Sequence, residues 1–271
     1  TAIQEASLLA QLRHPCICSF YGACALDRTS LCLVLEFMEG GTLDKFLYPE
    51  ATPSPRAQLM ASEPRQGAAR LLRLSLQIAD GIRFLHSHGI VHQDIKCSNV
   101  LLDEAQTHAR VADFGISRVC PPEPDALAKP PGRVTAPLMA SRASSCGTLR
   151  YMPPSEEISA YGAGEGRSPH ASNRKRFARD VYAYALLLHE VLHGALVFGH
   201  LSPLDAYFAA SMGDRPAIDL TSLPAAYQVL AGLIEQCWHR WSEERPPAQE
   251  IVDTLLSLSQ HLKAEGKMDD P

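Results

Sequence analysis

The chain has 271 residues, 46% hydrophobic and 20% charged, an ordinary globular composition sized for one large domain or two small lobes. Its formal net charge of -5 gives no whole-chain case for a nucleic-acid partner, and no apolar run approaches the roughly 18 residues of a membrane span. It opens on Thr1 without a secretory leader pattern, so it reads as an excerpt of something longer.

Residues 3–13 carry helical apolar spacing at Ile3, Leu8, Leu9 and Leu12. Two β-like runs follow, CICSFYG (16–22) and LCLVLEF (31–37). Gly40-Gly41 breaks the pattern, and a short helix is expected at 42–47. Residues 49–69 are rich in Pro, Ser, Ala and Arg and read as a loop insertion. Leu71, Leu74, Ile78, Ile82 and Leu85 recur at steps of three and four and predict a helix closed by Gly89. IVH and NVLLD are short apolar runs around a polar loop at 93–98, and ARVADFG reads as another strand. Residues 119–146, with many prolines, predict a long loop, and 158–178 a second insertion ending in the basic run Arg174-Lys175-Arg176. Helices are expected at 180–193, at 226–238 and around Ile251, Leu255, Leu258 and Leu262, before a polar tail at 264–271. Eight cysteines lie scattered without a C-x-x-C pair or finger-like spacing and read as reduced, mostly structural thiols. His86, His88 and His92 do not suggest a metal cluster, because the first two end a helix.

The chemical signal is His92-Gln93-Asp94-Ile95-Lys96-Cys97-Ser98-Asn99, followed by Asp113-Phe114-Gly115. Phosphoryl transfer needs positioning and charge neutralisation more than covalent help. One carboxylate must orient the attacking hydroxyl, a cation must offset charge on the moving group, and oxygen ligands must hold magnesium. Asp94, Lys96, Asn99 and Asp113 supply that set on two loops bounded by short strands.

These two motifs, in this order, resemble the protein kinase signature H-R-D-x-x-x-x-N plus D-F-G. The resemblance runs from residue 2 to about residue 262 and implies an α+β, protein-kinase-like bilobal fold. Residues 1–37 would be part of the small β-lobe, with one helix and two or three strands. Residues 38–263 would be the mostly helical large lobe, and 264–271 a tail. It implies that Asp94 is the catalytic base, that Lys96 contacts the γ-phosphate of ATP, and that Asn99 and Asp113 ligate Mg2+. Glu5 would be the glutamate that pairs with a strand lysine. Backbone groups of Glu36 and Met38 would bond adenine beside a gatekeeper Leu35, over a floor at Leu101. Leu9, Phe20, His92 and Phe114 would form an apolar spine, and Asp180 would brace the 92–99 loop. Lys96 and Thr148 follow the Ser/Thr pattern, and LRHPCICSFYGAC, DVYAYALLLHEVL and CWHRWSEERP are similar to tyrosine-kinase-like Ser/Thr kinases. Protein substrates and a cytoplasmic or intracellular-face location follow from that resemblance, with no nucleic-acid partner and no membrane contact from this segment.

Three departures qualify it. The first helix opens the chain, so no glycine-rich loop or strand lysine precedes it here, and the segment alone is expected to be nearly inactive. Gly162, Gly164 and Gly166 lie after D-F-G and read as linker rather than phosphate loop. Gln93 replaces the arginine that pairs with an activation-loop phosphate, so activity is not expected to be switched by that route. The usual A-P-E reads Pro153-Pro154-Ser155-Glu156, which displaces the glutamate expected to pair with Arg245. The alternative is a pseudokinase or scaffold module that keeps the fold without turnover.

Overall fold

The computed structural model describes residues 9–25, 31–50, 53–120, 148–154 and 173–265. Among them the chain forms β1 (Phe20–Ala25), β2 (Leu31–Leu35), β3 (Gly41–Thr42) and α1 (Leu43–Leu47). Then come α2 (Pro55–Ser62), α3 (Pro64–Ser87), β4 (Ile90–Val91), β5 (Val100–Leu102), β6 (Ala109–Val111) and β7 (Arg118–Val119). The remainder is helical: α4 (Asn173–His193), α5 (Pro203–Met212), α6 (Val229–Cys237) and α7 (Ala248–Ala264). This is the mixed α+β architecture that the sequence predicts.

Two helices lie at the centre of the core. Helix α3 starts on Pro64, whose missing N–H costs nothing in a first turn. It buries Leu71, Leu74, Ile78, Ile82 and Leu85 along one stripe and ends before Gly89, at φ +70°. Helix α4 is buried on all sides from Asp180 to Leu192, as a central helix must be. Helix α7 packs on α3, and α6 on α4.

The strands are short and antiparallel. β1 pairs with β2, with a register shift between Phe20 and Gly22. β5 lies between β3 and β6, and β4 pairs with β7. These two small pairings bracket residues 92–99 and 112–117, the segments that carry the polar motifs.

Several expectations need correction. Residues 49–69 are not a plain loop, because α2 and the start of α3 lie there. Pro55 and Pro64 read as breakers yet sit in first turns, and the Ser54 hydroxyl caps α2 by accepting from Ala57 N at 3.1 Å. The insertion expected at 158–178 gives way at Asn173, where α4 begins. Arg174 and Lys175 therefore ride its first turn, with Arg174 Nη2 donating to the Glu243 carbonyl at 3.1 Å. Helix α5 escapes the apolar-spacing criterion because Leu204, Phe208 and Met212 face solvent, which blurs the amphipathic contrast. The run at 16–22 is strand only from Phe20. Of the helix expected at 3–13, only Leu9 is helical among the described residues and 10–13 are turn and irregular chain; the part before Leu9, most of the 119–146 loop, residues 158–172 and the tail from 266 lie outside the described residues.

One core histidine gives the fold a pH dependence. His189 of α4 donates from Nε2 to the Ala217 carbonyl at 2.8 Å and stacks on His193, with ring centroids 3.8 Å apart. Burial pushes its pKa down to about 4. The unfolded ring titrates near about 6.5. The stability it contributes is therefore present above that value and is lost as pH falls from there toward 4. The melting temperature should decline across that window, with a shallower decline in H189Q; differential scanning fluorimetry across the pH series checks both.

Candidate active site

The loop from His92 to Asn99 hangs from one carboxylate beneath it. Asp180 Oδ2 accepts from the His92 amide at 2.8 Å, and Oδ1 accepts from the Gln93 amide at 2.8 Å. His86 Nε2, from the end of α3, lies 2.9 Å from Oδ2. Burial works to raise the Asp180 carboxyl, but the His86 bond, the nearby histidines and the Gln93 amide outweigh it and lower its pKa. Gln93 can then be held at φ 70°, a left-handed conformation costly to a residue with a Cβ. His92 is fully buried, with Nε2 3.0 Å from the Ala112 carbonyl, and burial lowers its pKa.

Three polar side chains converge in the turn that follows. Lys96 Nζ donates to Asp94 Oδ2 at 2.7 Å. Asn99 Nδ2 donates to the same Oδ2 and to the Asp94 carbonyl, each at 2.8 Å. Asn99 therefore turns its amide nitrogen toward Asp94 and its oxygen the other way. The second loop is tied in by the Ala112 amide, which donates to the Asn99 carbonyl at 2.9 Å, so Asp113 follows directly beside Asn99. Asp113 also lies in the left-handed region, at φ 63°, and is exposed, while Phe114 turns inward to 5.0 Å from the His92 ring. An amide oxygen and a carboxylate are both hard-oxygen donors, the kind Mg2+ takes.

The other expected positions fall as follows. The Glu36 amide donates to the Ser19 carbonyl at 2.8 Å, and its side chain accepts from Arg110 Nη1 at 2.7 Å. Met38 lies just before the tight turn at Gly41, whose amide donates to the Met38 carbonyl at 3.3 Å. Leu101 is half-buried on β5, opposite Thr42 and Arg110. Leu9 is buried. Glu5 and Glu156 lie outside the described residues. Arg245 is buried, donates to the carbonyls of Ala178, His239 and Arg240, and sits 5.0 Å over the Tyr182 ring.

A second buried acid escapes the motif reading. Glu190, on α4, accepts from Tyr48 Oη at 2.7 Å, Cys97 Sγ at 3.0 Å, Tyr151 Oη at 2.8 Å and the Val197 amide at 3.1 Å. Burial pushes its carboxyl up despite these donors and pushes the Cys97 thiol well up. Glu190 thus joins α1, the 92–99 loop, the segment at Tyr151 and the end of α4. The one signal for it in the sequence is a lone acid inside the apolar run ALLLHEVL.

The residues match the model of the protein kinase domain over positions 1–256. The chain belongs to that family, whose members generally use ATP and Mg2+. It is 30% identical over 96% of its length to the serine/threonine/tyrosine-protein kinase HT1 of Arabidopsis thaliana, covering 55% of that protein. It is 31% identical over 93% of its length to the serine/threonine-protein kinase TNNI3K of Mus musculus, covering 25% of it. It is 28% identical over 97% of its length to the Arabidopsis serine/threonine-protein kinase STY46, covering 38% of it. The relatives include tyrosine-kinase-like Ser/Thr kinases, as the resemblance implies. The chain spans about half the length of these relatives or less. Among the described residues no helix is long and apolar enough to cross a membrane.

Replacing Glu190 by Ala leaves four buried donors without their acceptor, each costing about 1–3 kcal/mol. E190A should therefore lower unfolding stability by at least about 3 kcal/mol, and E190Q by less; urea denaturation of both variants measures the difference.

Proposed function

We propose that the protein carrying this domain transfers the γ-phosphoryl group of ATP to Ser or Thr hydroxyls of protein substrates. The observation that carries this reading is the convergence of Lys96 and Asn99 on Asp94 Oδ2, in a loop tied through Ala112 to Asp113. Asp94 would orient the substrate hydroxyl and take its proton as the oxygen bonds to phosphorus. Lys96, already within 2.7 Å of Asp94, would offset negative charge on the moving group. Asn99 and Asp113 would hold Mg2+, which supplies charge neutralisation on the nucleotide phosphates when bound. Glu36, Met38 and Leu101 would receive the adenine and Glu5 would pair with a strand lysine, which makes residues 1–37 small-lobe and 38–263 large-lobe. Use of ATP supports a location in the cytoplasm or on the intracellular face of a membrane.

Phosphotransfer by the full-length protein should fall by about 10²–10⁴-fold in D94N. A D94N rate equal to wild type would refute the reading. Gln93 is neutral and forms no ion pair with a phosphate, so Asp or Glu at Thr135, Ser141, Ser144 and Ser145 should leave that rate close to wild type; a strong rise in the same assay would show a phosphate switch.

A further inference from the structure

The turn before β1 meets helix α3 with three metal-ligating side chains. His14, Cys16 and Asp80 bring a ring nitrogen, a sulfur and a carboxylate oxygen within 4.8 Å of one another. His14 and Cys16 are two residues apart but Asp80 lies far along the chain, so no spacing motif unites the three and the cysteine pattern alone reads Cys16 as a core thiol.

The backbone builds this meeting. The Val111 amide donates to the Cys16 carbonyl at 2.9 Å and the Val111 carbonyl accepts from the Cys18 amide at 2.9 Å, which locks the turn onto β6. Helix α3 approaches that turn at Gly81, where an added Cβ would stand 2.9 Å from the Cys16 carbonyl oxygen. The missing side chain at 81 delivers its neighbour, Asp80, to the turn. Arg83 then fixes the carboxylate, since its Nε and Nη2 donate to Oδ1 at 2.8 and 2.6 Å. Oδ2 is left toward His14 Nε2 at 3.4 Å and Cys16 Sγ at 4.0 Å. The His14 ring is stacked on Phe84, with centroids 4.5 Å apart.

Those separations approach the spacing of a coordination shell. With Zn–N and Zn–O bonds near 2.0–2.2 Å and Zn–S near 2.3 Å, ligand atoms of a tetrahedral site lie about 3.3–3.6 Å apart. The Nε2–Oδ2 distance already falls there, whereas the sulfur, 4.0 Å from Oδ2 and within 4.8 Å of the ring nitrogen, has to close on both. A mixed N, S, O set suits zinc, whereas magnesium and calcium take oxygen donors. The His14 and Asp80 side chains are 13% and 27% exposed, so an ion can enter and keep a solvent ligand. Arg83 plays the outer-shell part, orienting a ligand that it does not replace.

We propose that His14, Cys16 and Asp80 bind Zn2+ with water as the fourth ligand, stapling the turn before β1 to helix α3. On capture the thiol proton leaves to solvent and the sulfur binds as thiolate. The ring proton moves from Nε2 to Nδ1, which gives up the 3.2 Å bond now donated by the Cys16 amide.

The full-length protein, stripped of metal and kept reduced, is titrated with Zn2+ against a chromophoric chelator and, separately, with Co2+ by absorption spectroscopy. Binding of one Zn2+ at this site and a thiolate-to-cobalt charge-transfer band are expected. C16S, D80N and H14Q should each raise the Kd at least tenfold, R83Q about 10–100-fold, and C16S should abolish the cobalt band. The double variant C24S/C32S, which removes more accessible thiols, should keep it. Zn2+ should also raise the melting temperature of wild type but not of C16S, a near-isosteric change that keeps the result readable if D80N or H14Q fails to fold. Absence of the cobalt band in wild type, or a band and Zn2+ affinity unchanged in C16S, overturns the proposal.

Discussion

Asp180 is the point from which the polar machinery is suspended. Its carboxylate lies in the wall of a helix buried on all sides, where an uncompensated charge would cost several kcal/mol. The His92 and Gln93 amides and the His86 ring supply the compensation, and two of those three belong to the loop being held. The dependence is mutual. The loop keeps a left-handed Gln93 only because two successive amides are pinned, and the acid stays satisfied only because the loop takes that shape. The geometry of Asp94, Lys96 and Asn99 is set downstream of that bargain.

Helix α4 carries a second buried acid, Glu190, ten residues further on, or roughly 15 Å along the axis at about 1.5 Å per residue. Asp180 is satisfied mainly by backbone amides, which fix a chain path. Glu190 is satisfied mainly by side-chain donors from separate segments, which fix how those segments meet. Cys97 is the link between the two, since it lies inside the loop that Asp180 suspends and donates to Glu190. A single rigid helix thus sets both the local shape of the 92–99 turn and its position relative to Tyr151.

The long periodic helices and the paired polar motifs were legible in the sequence for a physical reason. The stripe of α3 and the spacing of Asp94, Lys96 and Asn99 are local patterns, visible within one or two turns of chain. What was hidden depended on distant partners. Pro55 and Pro64 look like breakers until the residues after them are known to be helical, and then they are favourable first-turn residues. Helix α5 hides because its apolar residues face outward. Glu190 and His86 gain meaning only when Cys97, Tyr48 and Asp180 arrive from elsewhere. The extra turns at the start of α4 were missed because Arg174-Lys175-Arg176 reads as a solvated charge run. Glu243, whose carbonyl accepts from Arg174 and whose carboxylate lies 4.0 Å from Lys175, is far along the chain.

The junction between the β1–β2 end and the helical remainder rests largely on backbone. Ile17 forms an isolated parallel bridge with Val111, the amides of Cys18 and Val111 close it, and α3 fits against the turn because position 81 has no side chain. Contacts of this kind tolerate little sliding, since a hydrogen-bond register moves in whole steps while a side-chain interface can repack by fractions. The same Val111 heads the segment to Ala112, whose amide holds Asn99. The turn that positions the small sheet and the loop that gathers the polar side chains are therefore anchored to neighbouring residues of one strand end. A displacement of either reaches the other through a single peptide unit rather than through a chain of packed side chains.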